Sequence, residues 1–107
     1  MSLLEAITAR IDDCVVAAWV DIRTGSVVEQ RPARSEPFVA PALDAAIEVM
    51  RSPERPPRMV LLSDRHVHVI QRTAHDPNRV LVVICARSPN LGLAVSQVRA
   101  LLEAERA

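Results

Sequence analysis

A chain of 107 residues is long enough for one domain with a modest core, and too short for two. Half of it is hydrophobic, yet only Trp19 and Phe38 are aromatic, so the core has to be aliphatic. Thirteen basic residues, all arginine, balance thirteen acidic ones, which excludes the net positive field expected of a protein that binds nucleic acid or an anionic membrane.

The opening Met1-Ser2-Leu3-Leu4-Glu5 has neither the basic start nor the cleavage site of a secretory signal, and no apolar run is long enough to span a bilayer. A soluble, cytoplasmic protein is expected. Ser2 to Asp12 reads as a helix: Ser2 with Glu5 makes a capping box, and Leu3, Leu4, Ile7 and Ile11 form one apolar stripe. Val15 to Ile22 reads as a strand apolar on both faces, hence covered on both sides. Arg23-Thr24-Gly25 closes a hairpin, with Gly25 where a positive φ is needed, and Ser26 to Gln30 returns as a more polar edge strand.

Arg31 to Pro37 is a connector. A second helix runs from Phe38 or Val39 to Met50 or Arg51, with Pro41 in its first turn and the proline-rich Ser52 to Pro57 ending it. Met59 to Ser63 and His66 to Thr73 are predicted hairpin strands around Ser63-Asp64-Arg65. Arg79 to Ala86 has no polar face and reads as the central buried strand. Asn90 is placed to cap a last helix whose stripe is Leu91, Val95, Val98, Leu101 and Leu102. The expected fold is α/β (α+β) in the order α-β-β-α-β-β-β-α, one domain over 1–107, with a five-stranded, mainly antiparallel sheet and helices on both faces.

The second helix is too apolar for a surface helix. Its polar residues Asp44, Glu48 and Arg51 fall on one narrow stripe, and nearly everything else is hydrophobic. One sheet face cannot cover both flanks. Either a second copy of the helix covers the remaining flank across a twofold axis, or the Arg31 to Pro37 connector folds over it; the small residues Ala42, Ala45 and Ala46 favour the close approach of a dimer.

Other residues carry weaker signals. His66 and His68 share a strand face, but no third residue at metal-ligand spacing accompanies them. Ser63, Asp64 and His66 are better read as a turn than as a hydrolytic group, since there is no nucleophile elbow. Two glycines cannot build a phosphate-binding loop of either common kind. Arg51, Arg55 and Arg58 are candidates for an arginine finger, with surface pairing to Glu48 and Glu54 the plainer reading. Cys14 and Cys85 lie far apart in sequence within apolar stretches and are expected as buried free thiols. No catalytic constellation, metal or cofactor is expected.

The element order, the Asp21 to Gly25 hairpin and Asn90-Leu91-Gly92-Leu93 at the entry to the last helix resemble the Roadblock, or longin-like, family, and within it the bacterial regulators of small GTPases. Gly92 would let that helix start close against the sheet. The resemblance implies pairing through the second helix and the strand after it, with sheets joined edge to edge, and a Ras-like GTPase bound on the helix side. It also implies that such activators reposition the GTPase's own residues. On that basis Ala42, Leu43, Ala46, Ile47, Met50, Met59 and Leu61 are expected at the dimer interface, and Asp44, Glu48 and Arg51 face the GTPase. The expected function is a homodimeric regulator or scaffold. A small ligand-sensing domain of profilin-like or sensor-like architecture, with an internal cavity, is the alternative.

Overall fold

The computed structural model describes the backbone of residues 2–34, 36–52, 54–73, 75–87 and 91–106, and the side chains of all of these except residues 91, 105 and 106. Along the chain come α1 (Leu3–Arg10), β1 (Cys14–Asp21), β2 (Ser26–Arg31), α2 (Val39–Met50), β3 (Arg58–Leu62), β4 (His66–Arg72), β5 (Arg79–Ala86) and α3 (Leu91–Arg106). The eight elements follow the expected order. The strands form one sheet in the order β2-β1-β5-β4-β3, every neighbouring pair antiparallel.

The segment Arg79–Ala86, apolar after its first residue, is the central strand, and β1 and β4, which flank it, are also mostly buried. Each face of the sheet has its own core. On one, Val39, Leu43, Ala46, Ile47 and Met50 of α2 pack over Val16, Val20, Ile70, Val80, Val82 and Ile84. On the other, Leu3, Leu4 and Ile7 of α1 and Val98 and Leu102 of α3 pack over Ala17, Val67, Val69, Leu81 and Val83. Side chains alternate between faces along a strand, so one run of β-branched residues feeds both cores.

Local signals act as their chemistry requires. The Ser2 hydroxyl accepts from the Glu5 amide at 3.2 Å, the first half of a capping box. Gly25 has φ +73°. That backbone conformation favours glycine; a Cβ would also lie 2.8 Å from Nη2 of Arg51, a side-chain tip that would have to shift. Gly25→Ala is expected to lower stability by about 1–2 kcal/mol, read as the shift in urea midpoint.

Two arginines tie α2 to the sheet. Arg72 Nη2 donates to the Met50 carbonyl at 2.7 Å, at the negative end of the helix, and its Nη1 donates to Pro77 O at 3.1 Å. Arg51 Nε donates to Ile22 O at 3.0 Å, joining the helix end to the β1–β2 hairpin.

The expected role of Gly92 does not hold. A Cβ there would meet nothing within 4 Å and the residue is exposed, so it makes no close approach to the sheet. The Asn90 cap, the Pro53 helix stop and the Leu91 side chain lie outside the described residues.

Candidate dimer and partner-binding surface

The outward face of α2 carries Asp44, Glu48 and Arg51, all exposed. Spacings of four and three put them on one stripe, as the helical period requires. Arg51 is anchored there: besides its bond to Ile22 O, its Nη1 donates to Glu48 Oε1 at 2.8 Å. Ion pairs this open to solvent contribute little to stability. The bond to Ile22 matters more, because it holds the guanidinium close to the hairpin.

The expected seam residues divide into two groups. Leu43, Ile47 and Met50 are 1%, 3% and 0% exposed, and Ala46 is buried with them in the core beneath α2. Leu43, Ile47 and Met50 are turned into their own subunit's core, whereas Ala46 also borders the open flank of the helix. The cause is helical phase. The sheet takes positions 39, 43, 46, 47 and 50, and the apolar flank left over is Ala42, Ala45 and Val49. Met59 is half-buried against the same core. Ala42 is half-buried in the same way, and Leu61 is exposed.

That flank borders a groove of about 210 Å3, walled on the other side by Leu61, Leu62 and His68. Pro32, Arg34 and Glu36 of the connector line a different depression, with Cys14 and Val15, so the connector does not cover the flank. Leu61 pairs with His68 and Met59 with Ile70 across the β3–β4 ladder, which sets the groove floor on the α2 side of the sheet. Strand β3 is one of the sheet's two edge strands, and its Val60, Leu61 and Leu62 are 40%, 37% and 55% exposed. An apolar edge strand with one side of its backbone unpaired is a template for another chain.

Two features of this surface are not visible in sequence periodicity. Phe38, at the start of α2, stacks on His66 of β4 with ring centroids 4.3 Å apart. His68, two residues on, lines the groove. Burial, helped by the nearby His66, holds its imidazole below the usual histidine range. The unfolded chain therefore takes up that proton at a higher pH than the folded one. Stability is full above the ordinary histidine value of about 6.5 and falls as pH drops through it toward the lowered folded value. The melting temperature of the wild type should drop between about pH 7.5 and 5.5, and His68→Gln should flatten that drop.

No catalytic geometry assembles around the other candidates. The Ser63 hydroxyl is committed to its turn, accepting from the His66 amide at 3.1 Å and donating to the His66 carbonyl at 3.2 Å. Among the described residues, no three of His, Cys, Asp or Glu converge as a metal site. No helix among them is long and apolar enough to cross a membrane. The groove is open to solvent.

A five-stranded antiparallel sheet with one helix on one face and two on the other, in this connectivity, is the Roadblock/LC7 fold. The chain superposes on a Roadblock/LC7 domain from Streptomyces avermitilis with a TM-score of 0.70 at 14% identity, over 97% of this chain and 92% of that one. It matches an MglB described in a tetrameric arrangement with a TM-score of 0.72 at 16% identity, over 95% and 81% of the two chains. It matches the gliding protein MglB from Thermus thermophilus at 0.68 and 16%, over 98% and 87%. No protein-family model and no curated protein matches the sequence.

Proposed function

We propose that this chain is a Roadblock-type regulator or scaffold that pairs with a second copy of itself along α2 and β3, acts by binding and not by catalysis, and carries a Ras-like small GTPase on the outer face of the paired helices. The observation that carries this reading is the apolar groove between Ala42, Ala45 and Val49 and the free edge strand bearing Leu61 and Leu62. Pairing two such edges would satisfy the outer backbone groups of β3 and bury both grooves in one self-complementary interface. The tetrameric description of a similarly folded MglB supports an oligomer. Under this reading Asp44 and Glu48 form the polar rim that sets partner choice and association rate.

Arg51 is a poor arginine finger, because supplying it to a partner would break its bonds to Ile22 and Glu48. The test is titration of the protein against a Ras-like GTPase from the same organism, loaded with a non-hydrolysable GTP analogue. Binding that is lost in Asp44→Arg with Glu48→Arg supports the proposal. No binding by the wild type at about 100 μM would overturn it. A parallel assay of GTP hydrolysis separates activator from scaffold, and stimulation should survive Arg51→Ala.

A further inference from the structure

Cys14 opens β1 and Cys85 lies near the end of β5, 71 positions on in sequence, yet the two are Cα partners across the antiparallel β1–β5 ladder. Strict alternation along β1 would send Cys14 to the α2 face with Val16, Ala18 and Val20. The ladder instead shifts register between Cys14 and Val16, which makes Val15 an extra residue. Val15 and Val16 both pack into the α2-side core, and Cys14 turns to the opposite face, where Cys85 stands with Leu81 and Val83. A bulge that re-aims one side chain in this way is a device seen beside functional groups. Directly opposed residues of an antiparallel pair have Cα atoms about 4.5–5.5 Å apart, inside the window that a disulfide requires.

Both cysteines are free thiols, Cys14 half-buried and Cys85 2% exposed. Interaction between the two facing thiols pushes Cys85 down and Cys14 up from the ordinary thiol range. Of the two, Cys85 is the more acidic thiol and the better leaving group. It sits in the wall of a depression of about 120 Å3 bordered by Arg10, Asp12, Asp13 and Gln97, several times the roughly 30 Å3 that a water molecule occupies. Cys14 is reached from the other side, beside Pro32 and Arg34.

We propose that Cys14 and Cys85 are a reversible redox site, closed to a disulfide by a small peroxide and reopened by a thiol reductant. In closure, the Cys85 thiolate attacks one peroxide oxygen and the O–O bond breaks. This leaves a sulfenic acid on Cys85 and a hydroxide that takes up a proton to become water. The Cys14 sulfur then attacks the Cys85 sulfur: the S–S bond forms, the S–O bond breaks, and the departing hydroxide leaves as water with the Cys14 proton. Two thiols lose two electrons and hydrogen peroxide becomes two waters. In reopening, a reductant thiolate attacks the Cys14 sulfur and expels the Cys85 thiolate; a second reductant thiol releases Cys14 and leaves the reductant as its disulfide. The bond ties the first strand to the fifth and closes a loop of about 70 residues that contains β2, α2, β3 and β4. The proposal does not depend on the GTPase reading.

The test is treatment of the reduced full chain with one equivalent of hydrogen peroxide, followed by intact mass, thiol titration, peptide mapping and thermal melting. The expected result is a monomeric chain lighter by two hydrogen masses, with no free thiol, a Cys14–Cys85 cross-linked peptide, and a melting temperature raised by about 10 °C. Dithiothreitol should reverse all of these. Cys14→Ser, or Cys14→Ala if the serine variant does not fold, should show no such rise. Two thiols still titrating after treatment, cross-links only between chains, or a melting temperature that does not move would overturn the proposal.

Discussion

Leu61→Arg is expected to turn the proposed dimer into a monomer while leaving the subunit's own stability almost unchanged. Leu61 is 37% exposed at the sheet edge, so an arginine there can extend into solvent in the isolated subunit. Surface changes of this kind typically alter folding free energy by no more than about 0.5 kcal/mol. In a twofold pair the same substitution occurs on both copies. It removes two apolar contacts from the middle of the interface and places two positive charges beside a groove with no acid among its walls. Losses at the centre of an interface run to about 2–4 kcal/mol, which raises the dissociation constant by about 30- to 1,000-fold. Size-exclusion chromatography with light scattering reads the oligomer, and urea denaturation at one fixed protein concentration reads the fold.

Ile47→Ala should do the reverse and damage the subunit first. Ile47 is 3% exposed and packed with Leu43 and Met50 over β1 and β5. Truncating a buried isoleucine to alanine costs about 2–5 kcal/mol, against a total of about 5–15 kcal/mol for a domain of this size. A fall in melting temperature of about 10–20 °C follows. Leu43→Ala should behave alike. Had these residues formed the dimer seam, their alanine variants would instead have stayed folded and become monomers. Denaturation midpoint and oligomeric state, measured together, separate the two roles.

The sequence carries the element order well, because periodicity and turn chemistry are local. The apolar run Arg79–Ala86 marks the central strand, Ser2 with Glu5 marks the first helix start, and Gly25 marks the hairpin. It also carries the polar stripe Asp44, Glu48 and Arg51 on α2. It does not carry which apolar flank of that helix meets the sheet. Ten hydrophobic side chains from Phe38 to Met50 fit several rotations of the helix, and only the positions of β1 and β5 select one. For the same reason, long-range bonds were out of reach. Arg51 finds Ile22 and Arg72 finds Met50 across 29 and 22 residues, and no local pattern encodes such a distance. The bulge at Val15 is equally silent, since one extra residue in a valine-alanine run leaves the hydrophobic pattern intact while moving Cys14 to the other face.

The proposed pairing demands that a second copy of the chain cover the open edge of β3 and the uncovered flank of α2. Sedimentation equilibrium of the wild type beside Leu61→Arg, each at about 10 μM, tests that demand most directly. A species of twice the chain mass for the wild type and of one chain mass for the variant is the predicted outcome. A wild type that sediments as a single chain, or a dimer that the substitution leaves intact, would contradict it.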